Sequence, residues 1–154
     1  MSYNWNWLIF FEPSLDGAHT YLETLIWGAG WTIATALGAF TIALTLGSLV
    51  GVARTAPLTS VRALGTGFVE VFRNVPLLVQ MFLWYFVLPE LLPSDLGTWL
   101  KQVPNAQFYT AVICLGCYHA ARMAEVVRAG LESLSRGQRM AGQALGLNLV
   151  QTYL

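Results

Sequence analysis

"LIWGAGWTIATALGAFTIALTLGSLVGVA", Leu25–Ala53, holds no charged residue and stops at Arg54, with Pro57 close behind. A helix needs about 20 apolar residues to cross a hydrocarbon core of roughly 30 Å. This stretch exceeds that length and predicts a first membrane helix that crosses with tilt. Within it Ala39, Ala43, Gly47 and Gly51 recur at every fourth position. That spacing stacks them on one stripe and lets the backbone of another helix approach closely.

The composition of the whole chain agrees. Hydrophobic residues make up 56% and charged residues 10% of 154 positions, and the mean hydropathy is +0.56. A soluble globule needs more polar surface than this. The length has room for about three or four spans. The net charge of zero implies no basic surface of the kind a nucleic-acid partner demands.

A second apolar stretch, "FVEVFRNVPLLVQMFLWYFVLPELLP", runs from Phe68 to Pro93. The apolar part after Val75 is too short to cross alone, so one helix is expected to begin near Phe68 and to carry Glu70 and Arg73 in its first turns, at one membrane face. Their i, i+3 spacing favours a mutual ion pair; the other role open to Arg73 is to attract a substrate carboxylate. Pro76 removes a helical hydrogen bond and predicts a kink. Trp84, Tyr85 and Phe86 read as an interfacial belt, and Pro89 and Pro93 end the helix.

A third span is expected from about Ala106 through Ala121, and its helical pattern runs on. Arg122, Glu125, Arg128 and Glu132 place alternating signs on one stripe, as on a helix leaving the bilayer for water. Such exposed pairs contribute only about 0.2–0.5 kcal/mol each, so the stripe reports solvation more than stability.

Orientation follows from lysine and arginine. The N-terminal tail has Glu12, Asp16 and Glu23 and no base; the link after the first span has Arg54 and Arg62 and no acid. After the second span Glu90 and Asp95 face Lys101, whereas Arg122, Arg128, Arg136 and Arg139 follow the third. Positive charge favours the cytoplasm, so the N-terminus is expected outside and the first and third connections inside. Residues 1–23 then form a periplasmic segment ahead of a membrane domain over 24–154. The N-terminus lacks a basic region and a cleavage site, so no removable signal peptide is expected.

No residue set points to catalysis. Cys114 and Cys117 lie within an apolar helical run and read as small buried hydrophobes, since a zinc site wants further ligands. A phosphate-cradling glycine loop and a nucleophile with a base are both missing from the sequence pattern. Neither a metal nor a cofactor is expected.

The polar stretch "SLSRGQRMAGQALG", Ser133–Gly146, stands apart in so apolar a chain. As a helix, Arg136–Leu147 turns Met140, Ala141, Ala144, Leu145 and Leu147 to one side and Arg136, Arg139 and Gln143 to the other, with Gly142 and Gly146 on a narrow strip. One reading is an amphipathic helix resting on the inner leaflet. The apolar side has no aromatic residue and is rich in Ala and Met, however, which makes a weak lipid anchor and a better surface for docking a protein. Glycine within a helix costs about 1 kcal/mol relative to alanine, and close approach of another backbone is a reason to accept that cost.

"ARMAEVVRAGLESLSRGQRMAGQALGL" resembles the cytoplasmic EAA-type loop of permease subunits in bacterial ATP-binding-cassette importers, in the branch that takes up polar amino acids. "FVEVFRNVPLLVQMFLWYFVLPELLP" resembles the second helix of that branch, and "YNWNWLIF" is similar to the subgroup importing glutamate and aspartate. The resemblance implies an all-α integral membrane protein, a polytopic bundle of the type-1 importer transmembrane domain with about three of its five spans. It also implies that a loop at about 130–150 docks into a cytoplasmic ATPase. In that loop Gly137 and Gln138 match the family's lead-in, Ala141, Ala144 and Leu145 the docking helix, and Gly146 the turn after it. The signature glutamate is absent: Met140 stands at its place. Family members continue past Tyr153 into two more helices, so a fragment is expected.

The implied partners are cytoplasmic ATPase subunits, a second permease, a periplasmic amino-acid-binding protein and membrane lipid, and the permease itself is not an enzyme. A secondary transporter or channel subunit working without nucleotide is the rival reading, and a small membrane scaffold is a third. Neither needs a glycine-notched docking helix in the cytoplasm.

Overall fold

The computed structural model describes residues 6–15, 17–133 and 136–146. Among these the chain is helical, apart from one isolated bridge between Pro13 and Thr20. Residues 1–37 and 38–154 make two compact units, described in turn.

In the first unit a 3-10 turn, Trp7–Phe11, is capped by Asn6, whose side chain accepts from the Leu8 amide at 3.1 Å and donates to Glu12 at 2.9 Å. Helix α1 spans Tyr21–Ala53. It begins ahead of Leu25 because Thr20 and Glu23 form a capping box: the Thr20 amide donates to the Glu23 carboxylate (2.8 Å) and the Glu23 amide to the Thr20 hydroxyl (3.3 Å). Two helix-end donors are thereby satisfied.

In the second unit the last part of α1 lies along α6, Ala106–Glu132. The predicted stripe of Ala39, Ala43, Gly47 and Gly51 is buried, and so are Gly116, Ala120, Ala121 and Ala124 opposite. Gly38 meets Val112, Ile42 meets Gly116, Gly47 meets Ala120 and Met123, and Gly51 meets Ala124 and Val127. Both series ascend together, so the two helices run parallel. A Cβ on Gly47 would lie 2.6 Å from Met123 Cβ and 2.8 Å from the Ala120 carbonyl oxygen.

The second predicted span is not one kinked helix. Helix α2, Thr59–Asn74, ends in extended Val75 and Pro76, and α3, Leu77–Phe82, sets off at 102° to it. Proline lacks the amide that would continue α2 and pushes its predecessor out of the helical region, and here the two effects produce a full break. Gln80, 4% exposed, staples it by donating to the freed carbonyls of Phe72 (2.9 Å) and Val75 (2.7 Å). After α3 the aromatic run lies in a π-helical turn, Leu83–Val87, leading into α4, Leu88–Leu91. Pro89 cannot donate to Tyr85 and its ring crowds that carbonyl, which accounts for the widened turn ahead of it. Helix α5, Ser94–Gln102, follows, with Gly97 against the Pro89 carbonyl; Asn105, at φ +58°, then opens α6 in the left-handed region that asparagine tolerates.

Val69 of α2 is buried against Ala121 and Ala124 of α6, with Val50, Phe68 and Phe72 around them. Among the described residues α1 alone is long and apolar enough to cross a membrane by itself. The broken pair Thr59–Asn74 and Leu77–Leu91 qualifies only when taken as one span. Helix α6, expected as the third span, does not meet that measure: its charge-free part, 106–121, includes Gln107, Tyr109, Tyr118 and His119, and Arg122 and Glu125 follow directly.

The α1–α6 contact has a direct test. Gly47→Ala overpacks the contact and is expected to cost about 1–3 kcal/mol, lowering the thermal midpoint of the detergent-solubilised protein. Gly67→Ala, on α2 with open space around it, serves as the control and keeps the midpoint. Equal midpoints for the two variants would refute the close approach.

Candidate functional site

Two features of the second unit stand out: a charge cluster centred on Glu125 and helix α7, Arg136–Ala144.

Glu125 stands beyond the apolar part of α6. Its Oε1 is 3.0 Å from Arg54 Nη1 and 2.8 Å from Arg73 Nη1, and its Oε2 is 3.4 Å from Arg128 Nε. Arg128 reaches on to Glu132 at 3.5 Å. One carboxylate therefore joins the residue just past α1, the last turn of α2 and its own helix. The Arg54 side chain is 8% exposed and that of Arg73 49%. Arg54 is held low because Gly65 of α2 lies against its Cγ, where a Cβ would come within 2.8 Å. Burial alone pushes the Glu125 carboxyl up, but Arg54 first, then Arg128 and Arg73, outweigh it and hold it below the usual carboxylate range.

This corrects two expectations. Arg73 pairs with Glu125, not Glu70; Glu70 is exposed, and the described residues give it no ion pair. The stripe on α6 is not merely a solvated face, since Glu125 is only 28% exposed and binds across to two other helices' ends. Arg122 instead stays on its own helix: its guanidinium lies 3.8 Å over the Tyr118 ring and donates to the Tyr118 hydroxyl. The missing residues were Arg54 and Glu125. A usable signal existed, because Ala121 stands one helical turn before Glu125 on the same face and its small side chain marks that face as packed.

On α7, Gly137, Met140, Ala141 and Ala144 are exposed, and so are Leu145 (78%) and Gly146 just after it; Gly142 is buried. Gly146 has φ +77°, the left-handed conformation that commonly closes a helix. The side chain of Gln138, residues 134–135 of the expected loop, and 147–154 with Leu147 and Tyr153, lie outside the described residues.

A cavity of about 690 Å³ opens elsewhere, lined by Trp84, Tyr85, Trp99 and Tyr109 among others, with the Glu90–Lys101 pair (2.6 Å) in its wall. Among the described residues no three metal-ligating side chains converge.

Residues 43–154 match the family described as "Binding-protein-dependent transport system inner membrane component". The chain is 48% identical to the glutamate/aspartate import permease protein GltJ of Escherichia coli (strain K12), over 99% of this chain and 63% of that protein. It is 30% identical to the glutamate/aspartate import permease protein GltK of Escherichia coli O157:H7, over 82% of this chain and 55% of that one. This chain thus spans less than two thirds of the length of these relatives. A solved structure described as an amino acid ABC transporter with histidines shares the fold, with a TM-score of 0.59 and 23% identity over 88% of this chain and 61% of that one.

The Glu125 cluster sets a pH dependence. A carboxylate whose folded pKa is lowered stabilises the fold above its ordinary, unfolded pKa of about 4.3, and that contribution is lost as pH falls through the lowered folded value. Glu125→Gln strands buried Arg54 and is expected to cost about 3 kcal/mol at neutral pH. The stability gap between parent and variant should close as the pH drops below the carboxylate range, as read by thermal midpoints across a pH series. A gap independent of pH would show that Glu125 acts through shape alone.

Proposed function

The chain belongs to the binding-protein-dependent transport system inner membrane component family, and from that premise we propose that it is the permease subunit of an ATP-driven importer for glutamate and aspartate. In this reading it is a multi-pass protein of the inner membrane with its N-terminus, residues 1–23, in the periplasm and a membrane domain over 24–154. It works beside a second permease, two cytoplasmic ATPase subunits and a periplasmic amino-acid-binding protein. The substrate assignment rests on likeness to GltJ and GltK, both glutamate/aspartate import permeases.

Dicarboxylic amino acids are too strongly hydrated to cross lipid unaided. The permease supplies a path between helices that opens to one side at a time, and ATP hydrolysis takes place on the partner. The observation that carries this reading is α7. It presents Met140, Ala141, Ala144 and Leu145 to the outside on a short helix closed by left-handed Gly146. A small-residue, non-aromatic face of this kind fits a protein cleft better than a lipid surface. The segment 130–150, with Gly137 and Gln138 at its lead-in, is then the coupling loop.

The test is co-purification of the permease with its ATPase. Leu145→Asp places a charge on the docking face and should reduce ATPase recovery at least tenfold, a loss of about 1.4 kcal/mol or more, while the permease accumulates normally in the membrane. Gly146→Trp, at a positive φ that tryptophan rarely adopts, should do the same. Undiminished recovery with both variants would remove α7 from the interface.

A further inference from the structure

We propose that the ion pair between Arg73 and Glu125 is a releasable latch that holds helix α2 against α6 in this conformation, with Arg54 acting as its fixed counter-charge. The proposal rests on the permease reading only for its consequence in transport.

Three observations support it. First, the two arginines that share Glu125 Oε1 differ in their freedom. Arg54 is 8% exposed with Gly65 pressed on its stem, and Arg73 is 49% exposed at 2.8 Å. If Arg54 left, a buried cation would be stranded in a poorly hydrated place. If Arg73 left, it would enter water, while Arg54 and Arg128 would keep Glu125 neutralised. The contact is therefore one-sided: Glu125 stays paired with Arg54 and Arg128 whether or not Arg73 is bound.

Second, Arg73 occupies the last turn of α2, just ahead of the extended Val75–Pro76 break. The chain on the far side of the break turns by 102°, and the break has no continuous helical hydrogen bonding across it. Rotation of α2 is resisted there by the Gln80 staple to Phe72 and Val75 and by Arg73. Such breaks absorb backbone rotation and serve as hinges.

Third, Glu125 lies in the last third of α6, which ends at Glu132 shortly before α7 begins at Arg136. A force on α7 that displaces this end of α6 moves Glu125, and the α2 break is then felt through Arg73. Arg73 is thus a positioning residue for transport, acting through the angle between α2 and α3.

The experiment uses the assembled transporter in lipid nanodiscs. Spin labels are placed on exposed positions, Gly67→Cys on α2 and Val126→Cys on α6, and the distance distribution between them is recorded. Arg73→Gln should add a second, longer population that is absent from the parent, and Arg73→Lys should restore the parental distribution. In the same preparation, ATP hydrolysis without binding protein should rise roughly fivefold in Arg73→Gln, the lower end of what coupling between two sites produces, while uptake per ATP falls. A purely structural role for Arg73 would change neither the distribution nor this ratio. An unchanged distance distribution in Arg73→Gln overturns the latch. So does failure of Arg73→Gln to accumulate while Arg73→Lys behaves like the parent, since the tie would then be permanent. A longer population with no change in hydrolysis keeps the latch and counts against the permease consequence, so the two failures are separate.

Discussion

The structure depends on how closely α1 and α6 approach. Where Gly47 faces the Ala120 carbonyl and Gly116 faces Ile42, the helices leave no room for a further methyl group. Lipid tails are as apolar as leucine, so the hydrophobic effect does little to pair helices in a bilayer; van der Waals contact between small residues does more. The parallel register that this contact fixes also sets the polar end of the unit. Gly51 lies against Ala124, and Arg54, three residues after Gly51, meets Glu125, the residue after Ala124, at 3.0 Å. The register of the small-residue stripe thus brings this ion pair together, and Gly65 of α2 against the Arg54 stem completes its placement.

The stripe was legible because its period is that of a helix, and charge-free length alone gave α1. Its partner was not legible, since Gly116, Ala120 and Ala124 make an equivalent pattern that no local rule connects to Gly47. Pro76 announced an interruption, but whether a proline bends a helix or ends it depends on what satisfies the freed carbonyls. That depends in turn on the side chain of Gln80, several residues away. The Glu70–Arg73 pair illustrates the limit of spacing rules. An i, i+3 neighbour contributes a few tenths of a kcal/mol on a surface, and a carboxylate brought by another helix, already facing a buried arginine, competes with it successfully. Of the Glu125 cluster, the packed face that Ala121 marks and the neighbouring Arg128 were legible; that Arg54 and Arg73 meet Glu125 was not, because both stand far from it in the chain.

Much of the apolar surface is open. Trp27, Trp31 and Leu37 of the first unit are exposed, and so are Phe40 and Leu49 on the remainder of α1 and Leu78 and Phe82 on α3. An apolar area so extensive is incompatible with water as the sole surroundings. It belongs against lipid tails or further helices, in keeping with an inner-membrane family.

The break at Pro76 shows how such a protein can hold unpaired backbone in an apolar setting. An unsatisfied carbonyl in hydrocarbon costs several kcal/mol, so non-helical backbone survives there only where other groups serve it. Gln80 serves two carbonyls through one amide nitrogen, and Phe72, which owns one of them, also stacks near Phe68 and Trp84. The bend is consequently held by a few side chains within one turn of the break and not by a continuous helix. Between α2 and α3 the chain therefore changes direction at a break whose backbone is served by the buried Gln80 side chain. Arg73 sits at the end of α2 beside that break, so its pairing with Glu125 ties the charge cluster on α6 to the point where the chain turns.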